Sequence, residues 1–322
     1  MDNLTHSLVG LMMARSGIDR KIARAAPLMI VAANIPDVDV ISLVRGPLGY
    51  LTWHRSYTHS LAFAPLMALL AALIVLGRRI SWWAYFFSLL GVLSHLLLDW
   101  TNVYGIRLLL PFSSRWLRLD QTEVIDLWIW AILLLALAAP ALARMVSGEI
   151  GAKSRGPKRG WACFALVVLL GYEGWRAAAH QRALAVMGAH LFNGSIPSRL
   201  SALPAGAPWR WRGIAEGPGW VDIVPVDLRA AFDPEAGRVD YAPEPSPAIA
   251  AARKTAAFQG FAKFDQLPFL KVTPAVDGTV VELIDLRFGT PQRPGFEARA
   301  MVNPDGVVTN SGVTMGANPT PR

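Results

Sequence analysis

Cysteine is almost absent: Cys163 stands alone in 322 residues, so neither an intramolecular disulfide nor a thiolate zinc site can form. Charge is scarce as well, 17% of the chain against roughly 25% in a usual soluble protein. No internal repeat is visible, which argues against solenoid architectures and against the inverted repeats of many transporters. The opening MDNLTHSLVG has no basic stretch and no small-residue cleavage site, so it does not read as a secretory signal. The net charge is +8, yet no basic face or nucleic-acid motif accompanies it, and no nucleic-acid partner is expected.

Long apolar runs are what the chain does have, and they crowd its first 177 residues. Six segments stand out: 4–16, 25–44, 60–77, 80–99, 124–146 and 161–177. The first is below the roughly 17–25 residues of a simple span. The expected architecture is an all-α polytopic membrane domain of five to six transmembrane helices over residues 1–177, followed by a small β-rich soluble domain over 178–322. Strands are expected at Trp209–Ala215, Trp220–Leu228, Phe269–Val272, Thr279–Phe288 and Phe296–Val302. One basic amphipathic helix is expected at Ala248–Phe264, and a loose tail at the end.

Basic residues gather in three loops: Arg15, Arg20, Lys21 and Arg24; Arg78 and Arg79; and Arg144, Lys153, Arg155, Lys158 and Arg159. If these loops are cytoplasmic, as the positive-inside tendency suggests, the domain after segment six is extracytoplasmic. Arg45, Arg55, Arg107, Arg115 and Arg118 run against that assignment.

A sparse polar set interrupts the apolar runs: His6, Asp37, Asp39, His54, His59, His95 and Asp99. Ionisable groups in apolar surroundings are costly unless they pair, bind a metal or line a polar cavity. His95 and Asp99, four residues apart, share a helix face and make a chelating pair for zinc or another first-row ion. Asp37 and Asp39 would diverge on an α-helix and share a side in extended chain, and Pro36 disfavours the helix. His54 is expected in a loop and His59 in the first turn of segment three. On the topology above, all seven come to the outer side of the membrane, which favours one shared metal site over separate caps and interfacial histidines.

The motifs DNLTHSLVG at 2–10, NIPDVDVIS at 34–42, HRSYTHS at 54–60 and SHLLLDWTNVYG at 94–105 together resemble the membrane-bound metal-dependent hydrolase family, the LexA-regulated inner-membrane type related to YdjM. The likeness covers residues 1–120, and PWRWRGIAEGPGWVDI at 208–223 looks like the second part of its long members. The order of His, Asp-x-Asp, Thr-His-Ser and His-x-x-x-Asp is also similar to zinc-dependent phospholipase C. That resemblance implies His6, Asp37, His59, His95 and Asp99 as metal ligands, with Asp39 and His54 as ligands or supports of ligands. The terminal-amine ligand and the extra histidine ligands of the phospholipase C site have no evident counterpart in this sequence, which favours one or two divalent ions over three, zinc first, with manganese or iron as alternatives.

The expected function is metal-assisted hydrolysis of a phosphoester, a lipid or headgroup-like substrate at the outer face of the inner membrane. Asp39 or Asp37 would act as general base or orient a ligating histidine, and Arg55 would hold a phosphate oxygen or anchor a lipid headgroup. Asn102 reads as a helix cap or a substrate contact. The rival readings are a non-enzymatic metal site that fixes helix packing and, behind it, a transporter.

Overall fold

The computed structural model describes residues 1–149 and 158–316. Lys153 and Arg155 of the third basic loop, and all but the first residue of the tail, lie outside the described residues. Seven helices come first: α1 (Asn3–Arg15), α2 (Ala25–Ala32), α3 (Gly46–Trp53), α4 (Ala64–Leu76), α5 (Trp82–Thr101), α6 (Leu127–Glu149) and α7 (Lys158–Gly188). Two four-stranded antiparallel sheets follow, in the orders β1 (Arg199–Ala205), β2 (Ala207–Gly217), β3 (Trp220–Asp227), β4 (Arg238–Tyr241) and β5 (Pro268–Ala275), β6 (Gly278–Asp285), β7 (Phe296–Val302), β8 (Val308–Met315). Between the sheets lie α8 (Pro247–Arg253) and α9 (Ala256–Phe261).

The helix expected at Ala248–Phe264 is therefore two. Thr255 breaks it: its hydroxyl accepts from Phe258 N and caps α9, offering the backbone a local alternative to continuing the helix. Of the five to six expected spans, two helices among the described residues are long and apolar enough to cross a membrane. A third qualifies when Ala25–Ala32 and Ile35–Trp53 are taken as one broken span. Helix α4, at 13 residues, is shorter than a simple crossing requires.

The chain divides into two compact units. One comprises Met1–Asp39, Arg55–His180 and Pro204–Pro208; the other comprises Val40–His54, Gln181–Leu203 and Trp209–Arg322. In the first, α2 packs on α1, α4 and α5 through small residues. A Cβ on Gly10 of α1 would lie 2.6 Å from the Met29 carbonyl, and one on Gly91 of α5 would lie 2.7 Å from the Ala32 Cβ. Backbones approach this closely only across glycine and alanine. Leu28 and Met29 of α2 are buried with Ala72 and Ala84. Ala32, one turn further along the same face, is buried with Met67, Val92 and Leu96.

In the second unit, β2–β3 and β5–β6 pair as tight hairpins. Phe264, Phe288 and Phe296 stack with ring centroids 4.3–6.0 Å apart. Beneath them Arg287 is buried and donates to both carboxylate oxygens of Asp285 at 2.9–3.0 Å and to the Phe264 carbonyl at 3.1 Å.

Candidate metal site

Four elements of the first unit deliver polar side chains to one place. Asp2 caps α1 by accepting from Leu4 N and Thr5 N, which starts the helix one turn before His6. Helix α2 stops at Ala32, four residues before Pro36, and residues Ile35–Arg45 follow as a 3-10 helix that carries Asp37 and Asp39. His59 closes a 3-10 turn, Tyr57–His59, ahead of α4 and not inside its first turn as expected. His95 and Asp99 lie on the inner face of α5, and Asn102 ends that helix. The Asn102 Oδ1 accepts from Tyr104 N at 2.8 Å, and its Nδ2 donates to Asp99 Oδ1 at 3.1 Å. It is thus both a cap and a brace for Asp99.

The two aspartates are neither extended nor divergent. They straddle one imidazole: Asp37 Oδ1 lies 3.3 Å from His59 Nε2, and Asp39 Oδ2 lies 3.2 Å from His59 Nδ1. Asp39 also accepts from the Thr58 hydroxyl at 2.7 Å and from Arg55 N at 2.9 Å. Asp99 Oδ2 stands 3.4 Å from His59 Nε2 and 3.3 Å from His95 Nε2, and the two Nε2 atoms are 3.0 Å apart. Ligand atoms of Asp37, His59, His95 and Asp99 all fall within 4.8 Å of one another.

Backbone geometry fixes one of these rings. His95 Nδ1 is 2.7 Å from the Ala33 carbonyl, an acceptor only, so Nδ1 carries the proton and Nε2 presents a lone pair to the cluster. Asp39 sets the same tautomer on His59. Two imidazole lone pairs and two carboxylates then converge with 0% exposure for His59, His95 and Asp99. Such a donor set repels itself unless a cation or shared protons sit in its midst.

His6 stacks on His95 with ring centroids 3.8 Å apart, and its Nε2 is 3.5 Å from Asp99 Oδ1. Neither ring nitrogen makes a hydrogen bond, and Asp99 Oδ2 lacks one as well. Arg55, at a positive φ of 58°, is buried. Its guanidinium donates to Asp99 Oδ1 at 3.0 Å and Asn102 Oδ1 at 3.1 Å, and it lies over the Tyr104 ring at 4.5 Å. That burial leaves no room for a headgroup anchor. His54 belongs to the second unit, where it ends α3 and stacks on Tyr50 with centroids 4.4 Å apart.

Several contributors were not singled out from sequence. Asn3 is exposed and donates to Asp37 Oδ2 at 3.0 Å and to Asn34 Oδ1 at 3.2 Å, and Asn34 donates to Ser7 at 3.0 Å. The α-amino group of Met1 contacts Asp99 Oδ1. The adjacency of Asn3 to Asp2 and of Thr58 to His59 in the quoted motifs was the available signal.

Residues 1–183 match the family described as YdjM inner membrane protein. Protein YfhP of Bacillus subtilis (strain 168) is 27% identical over 151 residues, 43% of this chain and 46% of that protein, so the match spans less than half of that relative. The inner membrane protein YbcI of Escherichia coli (strain K12) is 36% identical over 123 residues, 35% of this chain and 68% of that protein. No solved structure matches. With a match over more than half its length and a buried His/Asp group that could hold a metal ion, the chain belongs to the YdjM family of inner membrane proteins.

Proposed function

We propose that the protein is a membrane-embedded metal-dependent hydrolase acting on a phosphoester of a lipid or headgroup-like molecule. The observation that carries this reading is the convergence of His59 Nε2, His95 Nε2, Asp37 Oδ1 and Asp99 Oδ2, with the histidine protons directed away from the cluster. These four residues would hold a divalent ion, zinc first, with His6 a further donor beside Asp99. Such an ion supplies a Lewis acid for the phosphoryl oxygen and lowers the pKa of water to about 7. Asp39 keeps His59 in the ligating tautomer, a support that raises ligand basicity. Asp37, the carboxylate bonded to exposed Asn3, would accept a proton from attacking water. Arg55, locked onto Asp99 and Asn102, balances charge, and a phosphate oxygen would reach it only through the cluster. On this reading the two or three candidate spans cross the membrane, the shorter apolar helices pack beside them and the β-rich domain is extracytoplasmic, so lipid headgroups are the nearest phosphoesters and no nucleic-acid partner is expected.

A structural metal that only fixes helix packing is the rival reading, and the complete burial of His59, His95 and Asp99 favours it. Elemental analysis of detergent-purified protein beside His95→Ala and Asp37→Ala, followed by a phosphoester screen in mixed micelles, tests both. Near-stoichiometric metal that falls in both variants, with turnover in the wild type, is the expected result. Metal without turnover on any phosphoester leaves the structural reading. A folded wild type that takes up no divalent ion overturns both.

A further inference from the structure

Beside the His/Asp cluster the first unit contains a second feature, a pocket of about 510 Å³ between α1, α5 and α7. Its walls are almost wholly apolar, with Val9 and Met13 from α1, Leu97 from α5, and Leu166 and Leu170 from α7. One ionisable side chain lines it, Glu173 of α7. Both carboxyl oxygens of Glu173 are shielded from solvent without a well-formed hydrogen bond, the Thr101 hydroxyl being the one donor on the pocket wall that acts on it. The neighbouring donors are committed elsewhere. Tyr172 donates to Asp126 at 3.0 Å, and Arg176 donates to the carbonyls of Gln121, at 2.7 Å, and Pro208. A carboxyl at this depth is costly until a donor meets it, and a buried polar group left this way calls for a partner.

We propose that this pocket binds an alkyl-chain amphiphile whose polar end donates hydrogen bonds to Glu173. The apolar wall takes the chain, and the carboxyl selects an ammonium or hydroxyl over an ester, a carboxylate or a quaternary ammonium. Such a head belongs either to a free long-chain amine or alcohol or to a membrane lipid bearing a primary amine. The pocket volume lies within the range of small-molecule sites. The proposal is independent of any metal at the His/Asp cluster.

The test is equilibrium binding of tritiated dodecylamine to the full-length protein in a non-ionic detergent, with competitors. Saturable binding near one per chain is expected. Dodecanol and phosphatidylethanolamine should compete, whereas methyl laurate and phosphatidylcholine should not. Competition by phosphatidylethanolamine assigns the site to a membrane lipid, and competition by single-chain donors alone assigns it to a free amphiphile. Glu173→Gln should weaken dodecylamine binding at least tenfold. Gly174→Phe should abolish it, because Gly174 lines the pocket and a Cβ added there meets nothing within 4 Å, so the larger side chain is tolerated by the helix and takes up pocket space. A far-UV circular dichroism spectrum and thermal midpoint equal to wild type mark both variants as folded, and because neither readout involves a metal the result stands apart from the fate of the hydrolase reading. Binding that never saturates, or that changes less than twofold in the two variants, overturns the proposal.

Discussion

Asp39 has one carboxylate oxygen facing three groups, Arg55 N, the Thr58 hydroxyl and His59 Nδ1. An amide in its place can turn its NH₂ toward Nδ1, which moves the imidazole proton to Nε2 and blocks the lone pair needed for a metal. Asp39→Asn is therefore expected to keep the fold and lose about 10–100-fold in metal affinity, measured by chelator competition. A second residue-scale effect sits in the β-rich unit. Burial and the adjacent Asp285 carboxylate push the Asp265 carboxyl well above its ordinary value. A carboxyl whose folded pKa is raised stabilises the fold at pH below its unfolded value, near 3.9, and that contribution is lost as pH rises through the raised value. Asp265→Asn carries no charge to desolvate, so its thermal midpoint should rise by a few degrees relative to wild type above neutral pH, and the gap should close in acid. Thermal scans at several pH values check this.

At the scale of elements, the metal cluster depends on α2 lying close to α1 and α5. Gly10→Val puts a branched side chain where the Met29 carbonyl stands 2.6 Å from the Cβ position, and overpacking of this kind typically costs about 1–3 kcal/mol. Loss of bound metal together with a lower thermal midpoint is expected. Gly171→Ala on α7, where nothing lies within 4 Å, should be neutral or stabilising by about 0.5–1 kcal/mol. The same scale explains what could be read in advance. The pairing of His95 with Asp99 is legible because helical periodicity alone puts residues four apart on one face. The arrangement of Asp37 and Asp39 around His59 is not, because it depends on a 3-10 turn after Pro36 and on a partner some twenty residues away. The central strands carry alternating apolar residues and were visible. β8 is largely exposed and forms by pairing with β7, so no burial pattern announces it, and β4 has only four residues.

For the whole molecule, the arginines that argued against the positive-inside assignment lose part of their weight. Arg55 is neutralised by buried Asp99, Arg118 pairs with Asp120, and Arg107 lies 4.8 Å over the Trp116 ring. Charges held locally contribute less to orientation than free ones in short loops. Alkaline phosphatase fused after residue 316 is expected to be active and a green fluorescent protein fused there dark. The reverse pattern would put the β-rich domain in the cytoplasm.

The cluster is dry at the back and damp at the front: the His59, His95 and Asp99 side chains have no exposure, whereas Asp37 retains 10% and Asp39 8%. The exposed edge of the cluster is formed by Asp37 and Asp39, with the exposed Asn3 donating its amide to Asp37. Residence time at such a centre is set at the threshold rather than in the depths. Asn3→Ala should quicken the stripping of metal by a chelator by more than it lowers the equilibrium affinity, a kinetic latch distinguishable from the thermodynamic grip behind it.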